Sequence, residues 1–259
     1  MGGKLIKDSV PVDFQTLSSV YDYVKNLLCD CDNPCSDYIF DFVPIGSYGK
    51  KRHYEFYGDL DVAIQTNDEF DVDKFMVFLY HYELNPMFIK PNNMISFGLD
   101  FIRHKEKNIT IQVDLILTNN LNFTQWMYYT SPASESKYKG LYRNSLISML
   151  THKSIETDNE NYTRYLLNYN SGLHIVEYEE TKNYKLKEIS REFVTKSPSQ
   201  ICKLLGIGSL YMRNKYFTYE DLVEYLKDDY LVLQDHYHDL LKKKVDIPYV
   251  LAKALDEHY

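Results

Sequence analysis

Apolar and polar positions along this chain follow two rhythms, a helical one and a strand-like one. After Asp13, the apolar residues Phe14, Leu17, Val20, Tyr21, Val24, Leu27 and Leu28 recur at helical spacing, with Asp13 placed to cap the first turn. A polar, Cys-bearing stretch follows. Tyr38 to Ile45 is then apolar and aromatic enough for a buried strand, closed by Gly46. Asp59 to Gln65 (DLDVAIQ) predicts a second short strand, and Asp71 to Tyr82 returns to helical spacing through Val72, Phe75, Met76, Leu79 and Tyr80. Two further strands are expected, Met94 to Arg103 and Asn108 to Thr118, joined by the charged turn His104-Lys105-Glu106-Lys107. Asn, Thr, Ser and Pro collect over residues 118–135. Beyond them the spacing predicts helices at Lys137 to Leu150, Ser197 to Leu205, Tyr219 to Leu226 and Tyr230 to Lys243. The expected architecture is a mixed α/β domain over residues 1–125, followed by a mainly helical domain over residues 126–259.

Composition narrows the class without naming it. At 259 residues, 44% hydrophobic and 25% charged, the chain matches an ordinary soluble protein with a substantial core. No apolar run approaches the roughly 20 residues that span a bilayer, so no membrane partner is expected. The N-terminus lacks an apolar leader, and Ile6 stands where a myristoylation site wants Ser or Thr, so a cytoplasmic location is expected. Cys29, Cys31, Cys35 and Cys202 read as reduced thiols, because the C-x-C-x3-C cluster has no paired ligand spacing and no nearby His. Lys+Arg number 29 against 37 Asp+Glu, a net charge of -8, which argues against a protein coated in nucleic acid but allows a local basic stripe.

One set of residues carries chemistry. In a strand, i and i+2 face the same side, so Asp59 and Asp61 project their carboxylates together. Asp114 lies inside another apolar run, where an unpaired carboxylate is costly. Three carboxylates meeting at one sheet suit hard divalent cations, and Mg²⁺ is the ion expected. Two such ions can clamp the attacking and leaving oxygens of a phosphoryl displacement. Gly46-Ser47, at a strand end, offers a tight turn and a hydroxyl donor. Lys50, Lys51, Arg52 and His53 then place positive charge where a triphosphate needs it, although a basic run of this kind also reads as a solvated loop.

In their order, Gly46-Ser47, then Asp59 and Asp61, then Asp114, these residues resemble the nucleotidyltransferase superfamily typified by DNA polymerase β. The resemblance implies a mixed-sheet α/β palm, two Mg²⁺ ions (Mn²⁺ substituting) and a nucleoside triphosphate such as ATP. The implied reaction is hydroxyl attack on the α-phosphate with loss of pyrophosphate. Asp59 and Asp61 would hold both metals, and Asp114 the metal nearer the attacking hydroxyl. Tyr128-Tyr129-Thr130-Ser131 is similar to the segment that family X polymerases lay against the nucleotide's sugar and base, with Ser131 where that family has glycine. The alternative is that Tyr128 and Tyr129 are two more core aromatics. The 45 residues before Gly46 are too few for the family's helix-hairpin-helix domain, so gap-filling synthesis is not carried over, and residues 150–259 match nothing familiar.

The acceptor stays open among a DNA or RNA 3′-end (tRNA included), a small molecule and a protein hydroxyl. A non-catalytic nucleotide-binding protein is the further alternative. Lys137, Lys139 and Arg143, interleaved with Tyr138 and Tyr142, could track a nucleic-acid backbone, meet the triphosphate or decorate a helix. His236 and His238 diverge on a helix and read as surface residues, and Gly206-Ile207-Gly208-Ser209 reads as a loop, since no D-x-D strand follows it.

Overall fold

The Asp13 carboxylate accepts the Thr16 N–H at 2.8 Å, and the helix it caps, α1 (Phe14–Leu28), buries Leu17, Val20, Val24, Leu27 and Leu28. That stripe packs against one face of a five-stranded sheet in a computed structural model that describes residues 5–50, 55–101, 109–132, 140–152, 155, 162–181 and 185–256. The chain divides into two units, Met1–Pro132 and Ala133–Tyr259.

In the first unit the strands are β1 (Ile39–Pro44), β2 (Asp59–Thr66), β3 (Met87–Ile89), β4 (Met94–Phe101) and β5 (Ile109–Thr118), in the order β1-β2-β5-β4-β3. β2 and β5 run parallel, and the other neighbours are antiparallel. Helix α2 (Val72–His81), capped by Asp71, buries Phe75, Phe78 and Leu79 in the same core as α1. Every second residue of the central strands reaches that core: Leu60, Val62 and Ile64; Ile95, Phe97 and Leu99; Ile111, Val113, Leu115 and Leu117.

The intervening residues face the other way, and register arranges them in rows. Val43, Ala63, Ile116, Met94 and Ile89 form an apolar row across all five strands. Helix α3 (Leu121–Met127) adds Leu121 to the cluster built on that row. The next two rows are polar: Asp61, Asp114 and Ser96, then Asp59, Gln112 and Gly98.

The second unit departs from the expected helical domain. It begins with α4 (Gly140–Leu150) and then forms a three-stranded antiparallel sheet of β6 (Tyr162–Asn168), β7 (Gly172–Glu180) and β8 (Leu186–Thr195), in sequence order. Helices α5 (Pro198–Leu204), α6 (Gly208–Arg213), α7 (Tyr219–Tyr225), α8 (Tyr230–Lys242) and α9 (Tyr249–Asp256) follow. The sheet escapes a periodicity reading because two irregularities in the β7–β8 register break the alternation, and because most β8 positions are exposed. Gly208 and Ser209, read as loop, open α6 instead. His236 is also corrected: it is fully buried in α8, while His238 is exposed. No helix among the described residues is long and apolar enough to cross a membrane.

Candidate metal centre

Two parallel strands bring the three aspartates together. Asp61 is the register partner of Asp114, and Asp59 stands two residues before Asp61 on the same face. One carboxylate oxygen from each of Asp59, Asp61 and Asp114 lies within 4.8 Å of the other two. Oxygens bound to one hard cation at about 2.0–2.6 Å are separated by no more than roughly 4–5 Å, so the three can share an ion. Asp59 and Asp114 are buried and Asp61 half-buried.

Three carboxylates this close repel, and burial sharpens the repulsion. Withdrawal from water pushes the Asp61 carboxyl well above the usual carboxylate range, and the charges of Asp59 and Asp114 push it further. Burial also raises Asp114, but hydrogen bonds that favour its charged form oppose the rise. Ser96 Oγ donates to Asp114 Oδ1 at 2.6 Å, and Gln112 Nε2 donates to Oδ2 at 2.8 Å and to Oδ1 at 3.1 Å. An all-oxygen, net-negative donor set relieved by positive charge fits a hard divalent cation. Ser96 and Gln112 were missed in the sequence. Gln112 was within reach of the i, i+2 rule that paired Asp59 with Asp61, whereas Ser96 needed the β4–β5 register.

The Gly46-Ser47 turn meets this site directly. Gly46 opens a short 3₁₀ turn, Gly46–Lys50, with φ of +60°, and a Cβ there would collide with Asp61 Oδ2. The Ile45 N–H donates to the Asp61 carbonyl at 3.0 Å, and the Gly46 N–H to the Tyr128 carbonyl at 3.1 Å. A Cβ on Gly49 would stand 2.7 Å from the Thr130 carbonyl oxygen, so the Tyr128–Ser131 segment lies against the turn. Tyr128 and Tyr129 are half-buried, and Tyr128 also packs on the apolar row. The Gly46 N–H is thus held by Tyr128, while Ser47 is half-buried in the turn.

The expected basic groups fare differently. Lys50 is 4% exposed, its ammonium 3.5 Å from Glu55 Oε2. Lys51, Arg52, Lys137 and Lys139 lie outside the described residues. Arg143 is buried in the second unit: Nε donates to the Phe217 carbonyl at 3.0 Å, Nη1 donates to Asn144 Oδ1 at 3.2 Å, and the guanidinium lies 4.4 Å from the Phe217 ring centre. Asp30, Cys31 and Asp32 also come together, but in an exposed turn where Asp30 Oδ2 accepts the Tyr82 hydroxyl and Oδ1 accepts the Asp32 N–H.

No protein-family model matches the sequence, and no curated protein matches it. Among solved structures, the chain is similar to the crystal structure of Leishmania infantum polymerase beta in a ternary P/T complex. The similarity covers 77% of this chain and 74% of that one, at 15% sequence identity and a TM-score of 0.44.

Proposed function

We propose that the chain is a divalent-metal-dependent nucleotidyltransferase. It moves a nucleoside monophosphate from a nucleoside triphosphate to a hydroxyl acceptor, best a nucleic-acid 3′-end, and releases pyrophosphate. The observation that carries this reading is the mutually repelling set of Asp59, Asp61 and Asp114, gathered from two neighbouring rows of the sheet, with a glycine turn pressed against Asp61. Divalent cations bound there would supply the charge that a triphosphate and its leaving pyrophosphate require. The chain's own part is to hold three carboxylates within reach of one another on a rigid sheet, Asp114 fixed by Ser96 and Gln112. Ser47, Lys51 and Arg52 are the groups we assign to the triphosphate, while the ammonium of Lys50 is engaged by Glu55. Tyr128 and Tyr129 are assigned to the sugar and base, beside the turn whose Gly46 N–H the Tyr128 carbonyl accepts.

A small-molecule or protein acceptor is the second reading. The net charge of -8 and the burial of Arg143 favour it, since both weaken a phosphate-tracking stripe.

The test is incubation with each labelled NTP and dNTP, Mg²⁺ or Mn²⁺, and separate pools of DNA, RNA, tRNA and protein. Transfer by the parent and loss of at least about 100-fold in Asp114→Asn is the expected outcome. Transfer to no pool by folded protein, or full activity in Asp114→Asn, overturns the assignment.

A further inference from the structure

Behind Asp114, a buried amide links the site to the start of the chain. Gln112 is 1% exposed, and both ends of its side chain are engaged. Nε2 donates to both Asp114 oxygens, at 2.8 and 3.1 Å, while Oε1 accepts the N–H groups of Leu5 at 3.0 Å and Ile6 at 3.2 Å. The partners fix the amide's orientation: reversed, it would set an oxygen against a carboxylate and an NH₂ against two N–H donors. Glutamate at this position would bring a fourth carboxylate and lose both donations to Asp114.

The segment that meets Oε1 is itself anchored. Val10 N–H donates to the Thr110 carbonyl at 2.9 Å, and Val12 and Tyr57 exchange N–H···O bonds of 2.9 and 2.8 Å. A Cβ on Gly98, the row neighbour of Gln112, would stand 3.0 Å from Ile6 Cγ2, so the segment lies over that end of the sheet.

We infer that Gln112 is a positioning residue that fixes the Asp114 carboxylate for metal binding, braced by the backbone of Leu5 and Ile6. An Asp side chain has two free torsions, and a carboxylate anchored through both oxygens is restrained in both. The amino-terminal segment is then part of the metal site's support. This inference rests on the metal-site reading of Asp114.

Mn²⁺ binding to the purified full chain, followed by electron paramagnetic resonance, tests it without any turnover. Gln112→Met keeps the shape and removes every side-chain hydrogen bond; Ile6→Pro keeps Gln112 and removes one brace donor. Melting curves run alongside both. The expected result is Mn²⁺ affinity about 10–100-fold weaker in Gln112→Met, and a smaller loss in Ile6→Pro, with each variant folded. If the parent binds Mn²⁺ and the folded variants bind it equally well, the positioning role is wrong while the metal site stands. If the parent binds no Mn²⁺, the metal-site reading fails and takes this inference with it.

Discussion

At the scale of single residues, Gly46 shows how backbone and site chemistry select the same amino acid. Its φ of +60° costs a residue with a Cβ roughly 1–2 kcal/mol. Its missing side chain also leaves the space that the Asp61 carboxylate fills. Gly206 separates the two effects: its φ is +78°, but nothing lies within 4 Å of a Cβ placed there. Gly206→Ala is therefore expected to lower the urea-unfolding free energy by a backbone cost of about 1–2 kcal/mol and leave Mn²⁺ binding untouched. Gly46→Ala should show that cost and also weaken Mn²⁺ binding by about 10-fold or more, because Asp61 must swing aside. Equal Mn²⁺ affinity in the two variants would contradict the contact. Lys50 and Arg143 give the opposite lesson. In the sequence Lys50 reads as a triphosphate contact or a loop cation, and Arg143 as a contact to nucleic acid or triphosphate or as helix decoration; each is buried against a partner that spacing does not reveal, Glu55 and the Phe217 carbonyl.

Elements explain which parts of the molecule were legible. Asp59 and Asp61 share a face by strand periodicity alone, and Asp114 stands out as a charge in an apolar run. Their convergence depends on the parallel pairing of β2 with β5 and on the row that sets Asp61 beside Asp114, which only the folded register supplies. The helices α1, α2, α5, α7 and α8 were readable because each buries one stripe, whereas β8 buries almost nothing. That strand is an edge of its sheet among the described residues, and Leu186, Ile189 and Phe193 are exposed along it. Lys187, Glu188, Arg191 and Glu192 interleave with them, Glu188 and Arg191 joined by two hydrogen bonds of 2.8 and 2.9 Å. Charges on an open edge discourage pairing with another chain. Replacing all four with Thr should cost little stability per site, within about 0.5 kcal/mol each. Light scattering should nonetheless rise at concentrations where the parent stays clear. A variant that stays clear for as long as the parent would show that the charges do not guard this edge.

For the whole molecule, a separate pH lever lies away from the aspartates, in the second unit. His236 is fully buried, its Nε2 3.2 Å from the Tyr219 hydroxyl, with the ring centres 5.8 Å apart. Burial pulls its pKa down from 6.5 to about 4; the Asp239 charge opposes the fall and the Lys243 charge adds to it. Those two charges are themselves paired at 2.6 Å, and Asp239 also accepts the Ser145 hydroxyl at 3.2 Å, so neither stands as a lone counter-charge for an imidazolium. The unfolded chain takes up the His236 proton near pH 6.5, and the folded chain resists it until about pH 4. Between those values the unfolded state binds more protons, so stability is present above pH 6.5 and drains away as pH falls towards 4. At about 1.4 kcal/mol per pH unit, lowering the pH from about 7.5 to 5 removes roughly 2 kcal/mol through this one residue. His236→Gln keeps a polar neighbour for Tyr219 and cannot titrate. Its urea-unfolding free energy should therefore fall by about 2 kcal/mol less than the parent's over the same pH interval. His174 in the same unit also has its pKa lowered by burial, and its contribution cancels in that difference because both chains carry it. Parallel pH profiles for parent and variant would mean that His236 is solvated well enough in the folded chain to take its proton at ordinary pH, against the packing that buries it.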